Sequence, residues 1–139
     1  MYAYDTEAGA RMLNYTRTRD VQLWLNVHSK TESRGRLHQE GEYAGLVKPP
    51  YKSDVEMGTV WQNKADMFLI AHRYVKHPEA KERFTTSLSV EKVKDTYTGG
   101  KIHERDEAFR MRLYDMSYFK CEETGERAFQ PLKMNINQI

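Results

Sequence analysis

Most of the devices by which a sequence announces its chemistry are missing here. Cys121 is the one cysteine in 139 residues, which excludes an internal disulfide framework and fits a reducing compartment, so a cytoplasmic protein is expected. No stretch approaches the eighteen or so consecutive apolar residues of a membrane span, and residues 1–5 lack the basic-then-apolar layout of a signal peptide. No membrane partner is therefore expected. Charge of either sign is not in excess: 22 basic and 20 acidic residues leave a net charge of +2, so any affinity for nucleic acid must come from a local patch. Glycine is sparse and badly spaced for phosphate binding. The eight glycines form neither Gly-x-x-x-x-Gly-Lys-Ser/Thr nor Gly-x-Gly-x-x-Gly, and the adjacent pair Gly99-Gly100 reads as a hairpin turn. His28, His38, His72, His77 and His103 match no metal-ligand spacing, and Cys121 has no local nucleophile signature around it. Apolar residues are 39% of the chain at a mean hydropathy of -0.84, which implies a thin core.

What is present is organised around residues 55–73. The polar, glycine-bearing run 55–66 passes directly into Met67-Phe68-Leu69-Ile70-Ala71, the most apolar run in the chain. A short apolar run between polar flanks suits a strand buried on both faces, which places the preceding segment at the rim of a sheet. Before it, Tyr4, Ala8, Met12 and Tyr15 recur at helical spacing over residues 5–19, with Asp5 or Thr6 as N-cap and Gly9 as a weak point. Asp20 breaks that pattern, and Val21, Leu23, Leu25 and Val27 then alternate in a strand that ends at His28. Residues 29–50 show no period, the mark of a functional or mobile loop. Residues 74–81, with Pro78, are another loop. From Phe84 the period is two, with Thr86, Leu88 and Val90 on the Phe84 face and Lys92 and Lys94 continuing it as the strand leaves the core. A returning strand through Phe109, Met111 and Leu113 makes an antiparallel hairpin, a short strand follows over 117–121, and 131–139 is a tail. One domain over residues 1–130, of α/β class, is the expectation.

Several side chains are open to two readings. His28 is either a solvated rim histidine or a polar sensor at the carboxyl edge of a sheet. Lys92 and Lys94 either solvate a strand end or reach a phosphate together. Arg34, Arg36 and Lys48 serve solubility or contact a nucleic-acid backbone, whereas Trp61 reads as core.

Taken in order, three segments resemble the distal half of the RecA-like motor domain of DnaB/Twinkle-type hexameric replicative DNA helicases, phage-like versions in particular. The strand ending in His28 is similar to a family strand with a terminal His or Gln. Residues 53–66 look like the family's segment with glycine, Trp and Asn-Lys-Ala-Asp, followed by an apolar strand ending in Arg73. Residues 91–100 resemble its Lys-x-Arg hairpin with a glycine turn.

The resemblance implies a partial RecA-like core, a mixed sheet with parallel strands followed by antiparallel C-terminal hairpins. It implies that His28 senses a γ-phosphate, and that Lys92 and Lys94 reach the phosphate bound by a neighbouring subunit of a homo-oligomeric ring. Val55, Glu56, Met57, Gly58 and Thr59, with Arg34 and Arg36 of the loop, would contact single-stranded DNA. Lys94 stands where the group often has arginine, which removes the planar fork. The phosphate loop and the acidic metal-binding strand of the family have no counterpart in this sequence. The chain is expected to bind neither ATP nor Mg by itself and to require a P-loop-bearing segment or neighbouring subunit. The alternative implication is a non-enzymatic module that binds single-stranded DNA or a replication partner.

Overall fold

The computed structural model describes residues 2–55, 58–95, 102–103 and 107–127. Helix α1 runs Tyr2–Arg19, three residues earlier than the expected start, so Asp5 and Thr6 lie within its first turns. Asp20 ends it in the left-handed region (φ 51°), where aspartate is among the few tolerated residues, and Val21 N–H closes back onto the Thr16 carbonyl at 3.2 Å. A single turn of 3₁₀ helix at Thr31–Gly35 and another at Lys52–Asp54 punctuate the long loop. Helix α2 spans Gly58–Lys64, strand β1 Met67–His72, helix α3 Ala80–Arg83, β2 Thr85–Val93, β3 Phe109–Tyr114 and β4 Tyr118–Cys121.

The four strands form one sheet in sequence order, β1-β2-β3-β4, and every pairing is antiparallel. The predicted hairpin of β2 with β3 is therefore present, and so is the short closing strand. The Thr98-Gly99-Gly100 turn lies outside the described residues, as does the tail 131–139. The molecule is mixed α and β, but among the described residues the expected parallel strands are absent. Among the described residues, 21–28 join no sheet and 22–28 make no backbone hydrogen bond, although their alternation is intact in sequence; Val21, Leu23, Leu25 and Val27 stand exposed, with Trp24 at 71%. Period-two patterning specifies which face a strand would bury; it supplies no neighbour to pair with.

Strand β1 also departs from the expectation of burial on both faces. Phe68 and Ile70 are buried with Val55, and Trp61 and Ala65 pack against them, whereas Met67 and Leu69 on the other face are exposed. Val60 completes the small set of buried apolar side chains among the described residues. At roughly 1.5–3 kcal/mol for each fully buried side chain, this thin core gives modest stabilisation. The 29–50 loop is tied down despite its lack of period. Leu37 bridges Val47, Lys48 N–H donates to the Arg36 carbonyl at 2.8 Å, and the Arg36 guanidinium pairs with the Asp54 carboxylate.

Candidate functional site

The chain brings the end of the 21–28 segment beside residues 52–55. Ser29 forms an antiparallel bridge with Val55, and Lys30 N–H donates to the Asp54 carbonyl at 2.6 Å. His28, one residue before the bridge, is exposed. Asp54 organises this corner: its carboxylate accepts from Tyr51 N–H at 2.5 Å and from Arg36, whose guanidinium also lies 4.9 Å from the centre of the Tyr51 ring. A carboxylate at the N-terminal end of a helical turn answers its free N–H groups.

The residues expected to contact DNA are thus treated differently by the fold. Val55 is 7% exposed and anchors the corner in the core, so its side chain is not at the surface. Glu56 and Met57 lie outside the described residues. Gly58 and Thr59 are not loop but the first two residues of α2. Arg36 is committed to Asp54, whereas Arg34 is exposed and has no carboxylate partner among the described residues.

A register shift on β2 precedes both lysines. Leu69 pairs with Val90 but Phe68 with Lys92, so Glu91 is an extra residue on β2. This bulge reverses the alternation. Lys92 leaves the Phe84 face on which simple counting put it and donates its ammonium to the Gln62 carbonyl near the C-terminal end of α2, where a cation is favoured. Lys94 lies in the open, 3.4 Å from the equally exposed Asp66 carboxylate, a contact worth at most about 1 kcal/mol. Among the described residues no hydrogen bond or ion pair joins His28 to either lysine.

Between residues 21–27 and the free edge of β1 lies a groove of about 940 Å³. Val21, Leu23, Leu25 and Val27 wall one side and Met67 and Leu69 the other, while Met12 of α1 and Trp61 of α2 also line it. Lys64, Asp66, Lys94 and Asp95 line it as well.

Two further clusters escaped the sequence reading. The first couples the long loop to the sheet. Glu82, 7% exposed, accepts two hydrogen bonds from Arg110 (2.8 and 2.9 Å) and one from the Tyr43 hydroxyl (3.3 Å), while Arg110 Nε donates to Glu122 at 2.7 Å. Burial alone would raise the Glu82 carboxyl, but the Arg110 hydrogen bonds and charge outweigh it and hold the carboxyl below its usual range. Burial, with the Glu82 charge added, pushes the Tyr43 phenol up. Tyr43 stacks on Tyr74 at 4.4 Å, and His38 Nε2 lies 3.0 Å from the Tyr74 hydroxyl. Burial first, then Lys48, lowers the His38 pKa. The Tyr43 and Tyr74 rings line a cavity of about 200 Å³ together with Ile70, His72, Ser87 and Ser89.

The second cluster lies on the β3–β4 hairpin, where Arg112, Tyr114, Tyr118 and Lys120 share one sheet face. Its trace in the sequence was available: Arg-x-Tyr and Tyr-x-Lys at spacing two on facing strands put four side chains together once the turn is known. No protein-family model, curated protein or solved structure matches the chain.

Proposed function

We propose that this chain is the C-terminal portion of a RecA-like replicative DNA helicase motor, which supplies a DNA-facing corner and a trans-acting phosphate contact to an ATPase completed by another segment or chain. The observation that carries the reading is the groove beside β1. A strand residue occupies about 160 Å³, from a rise of about 3.3 Å, a strand spacing of about 4.8 Å and a layer about 10 Å thick. The 940 Å³ groove accordingly holds about six residues, the length of β1 itself. The apolar side chains of Val21, Leu23, Leu25, Val27, Met67 and Leu69 along it suit a strand apolar on both faces, which is how interior strands of parallel sheets read. Among the described residues no strand pairs with β1 on the side away from β2, and Met67–His72 holds no lysine or proline to blunt that edge, so it is a template for pairing.

A strand seated there would bring residues 21–28 into the same sheet and set His28 at its carboxyl edge, where open α/β sheets meet ligands. Arg34 and the neighbouring Lys30 then offer cations to DNA phosphates, and Lys94, rather than the committed Lys92, is the residue left for a phosphate in trans. The chain by itself does not fit a nucleotide: it has no glycine cradle for phosphates, and Lys94 is engaged with Asp66 on an open surface. ATP and Mg would be held by the completing segment, and no catalytic step is assigned to them here.

The test is association with the product of the reading frame immediately upstream. A Gly-x-x-x-x-Gly-Lys-Ser/Thr protein from that frame should form a complex in which the amides of residues 22–28 and 67–72 become protected from hydrogen exchange. DNA-stimulated ATP turnover should appear only in the mixture and vanish with Lys94→Ala. An upstream frame with no phosphate loop, or a complex that leaves those amides unprotected, would defeat the proposal.

A further inference from the structure

Across the β3–β4 hairpin, cations and rings alternate. Arg112 Cζ lies 5.0 Å from the centre of Tyr114, and Lys120 Nζ lies 5.0 Å from Tyr114 and 5.7 Å from Tyr118. Arg127 Cζ lies 4.2 Å from Tyr118. The two rings are nearly parallel, 13° apart at 6.0 Å. Arg112 faces Lys120 across the ladder and Tyr114 faces Tyr118, so all four belong to one sheet face, and Arg127 joins them by bridging Lys120. None of the three cations has a carboxylate partner among the described residues. The acidic groups closest in sequence are otherwise engaged or unconnected: Glu122 holds Arg110 and Lys81, Glu123 accepts from the Cys121 thiol, and Asp115 and Glu126 make no ion pair with the ladder.

The geometry points to a binding surface for single-stranded nucleic acid on this hairpin, separate from the corner around Arg34 and independent of whether a second chain fills the groove. Three uncompensated cations in a row select a polyanion, and the rings between them select one that carries planar bases. In the free protein the rings are occupied by their own cations. A polyphosphate draws those cations outward and frees the ring faces for bases, which stack on aromatic rings. Proteins that bind single strands without sequence preference combine the same two elements. An acidic peptide or an anionic lipid surface would use the cations but leave the tyrosines without a role.

The test is fluorescence anisotropy of the full chain with a labelled oligothymidine of about 12 nucleotides, within the usual site-size range, read at several salt concentrations. Replacing Arg112, Lys120 and Arg127 together by glutamine should weaken binding and flatten the logarithmic salt dependence by about 2, since each single-strand phosphate contact contributes about 0.7. Tyr114→Leu or Tyr118→Leu should weaken binding on the order of tenfold without changing the salt slope. Thermal melting of each variant establishes that it is folded. Folded variants that bind like the parent would overturn the proposal, because the ladder would then only brace the hairpin. An abasic oligonucleotide, an acidic peptide or anionic vesicles binding as tightly as oligothymidine would overturn it too. Loss of binding in Lys30→Gln with Arg34→Gln, but not in the hairpin variants, would refute this surface while sparing the proposed helicase role. Failure to associate with a P-loop-bearing chain would do the reverse.

Discussion

Replacing Glu82 with glutamine removes one charge and no volume, at the point where the long loop is fastened to the sheet. In the native protein the carboxylate accepts both bonds from Arg110 Nη2 and the Tyr43 hydroxyl, and it is 7% exposed. Breaking a buried ion pair by removing one partner costs about 3–5 kcal/mol. Here Arg110 keeps Glu122 and is only half-buried, so about 2–3 kcal/mol is expected at neutral pH, a fall in Tm of about 5–10 °C for a domain of this size. The pH dependence identifies the cause. Although burial opposes its charge, Arg110 holds the folded-state carboxyl below its ordinary value of 4.5. The contribution is therefore complete above pH 4.5 and fades as the pH falls through the lower folded-state value. Thermal melts followed by circular dichroism at pH 7 and at progressively lower pH should show the difference between wild type and Glu82→Gln shrinking with acid. A difference under about 0.5 kcal/mol at pH 7, or one that does not change with pH, would refute the assignment of this pair as the loop's fastening.

Three other perturbations follow from the same coordinates. Gly9 is buried in α1 against α2, and a Cβ there would meet Val60 and Lys64 side chains at 3.7 Å, ordinary contact; Gly9→Ala should raise stability by about 0.5–1 kcal/mol in urea unfolding. Met116 sits in the β3–β4 turn at φ 53° with its side chain 75% exposed, so Met116→Gly relieves left-handed strain without losing packing and should stabilise by about 0.5–1 kcal/mol, raising Tm by a few degrees. The two lysines should separate by stability alone: Lys92→Met leaves the Gln62 carbonyl unanswered and should cost about 1 kcal/mol, while Lys94→Ala should change stability by less than about 0.5 kcal/mol. Equal effects in urea melts would remove the distinction drawn between them.

Local patterns in this sequence were legible wherever the partner was also local. Helix α1, its stop at Asp20, the β2–β3 hairpin and the closing strand all follow from spacing, because the residues that satisfy them lie nearby in the chain. The reading failed where a distant or missing neighbour decides. Residues 21–28 have the alternation of a strand, but among the described residues no strand pairs with them. Lys92 and Lys94 have the spacing of a matched pair, but their ammonium groups meet different distant partners, the Gln62 carbonyl and the Asp66 carboxylate. Val55 reads as a loop residue because its neighbours are polar, yet it closes the core against Phe68 and Ile70, thirteen and fifteen residues on and reached only after α2. The Glu82–Arg110 fastening joins loop, helix and strand across 28 residues, a separation that no periodicity records.

The order in which the strands lie has a consequence for assembly. Each strand pairs with its neighbour in the chain, so every contact of the four-strand sheet is made between consecutive strands and none needs a crossover. The four strands pair with one another without any contribution from the groove beside β1. Occupation of that groove would then be a docking step added to an already folded sheet, governed by concentration and able to reverse, rather than a condition for folding. A chain built this way can be made, stored and later recruited as a finished part.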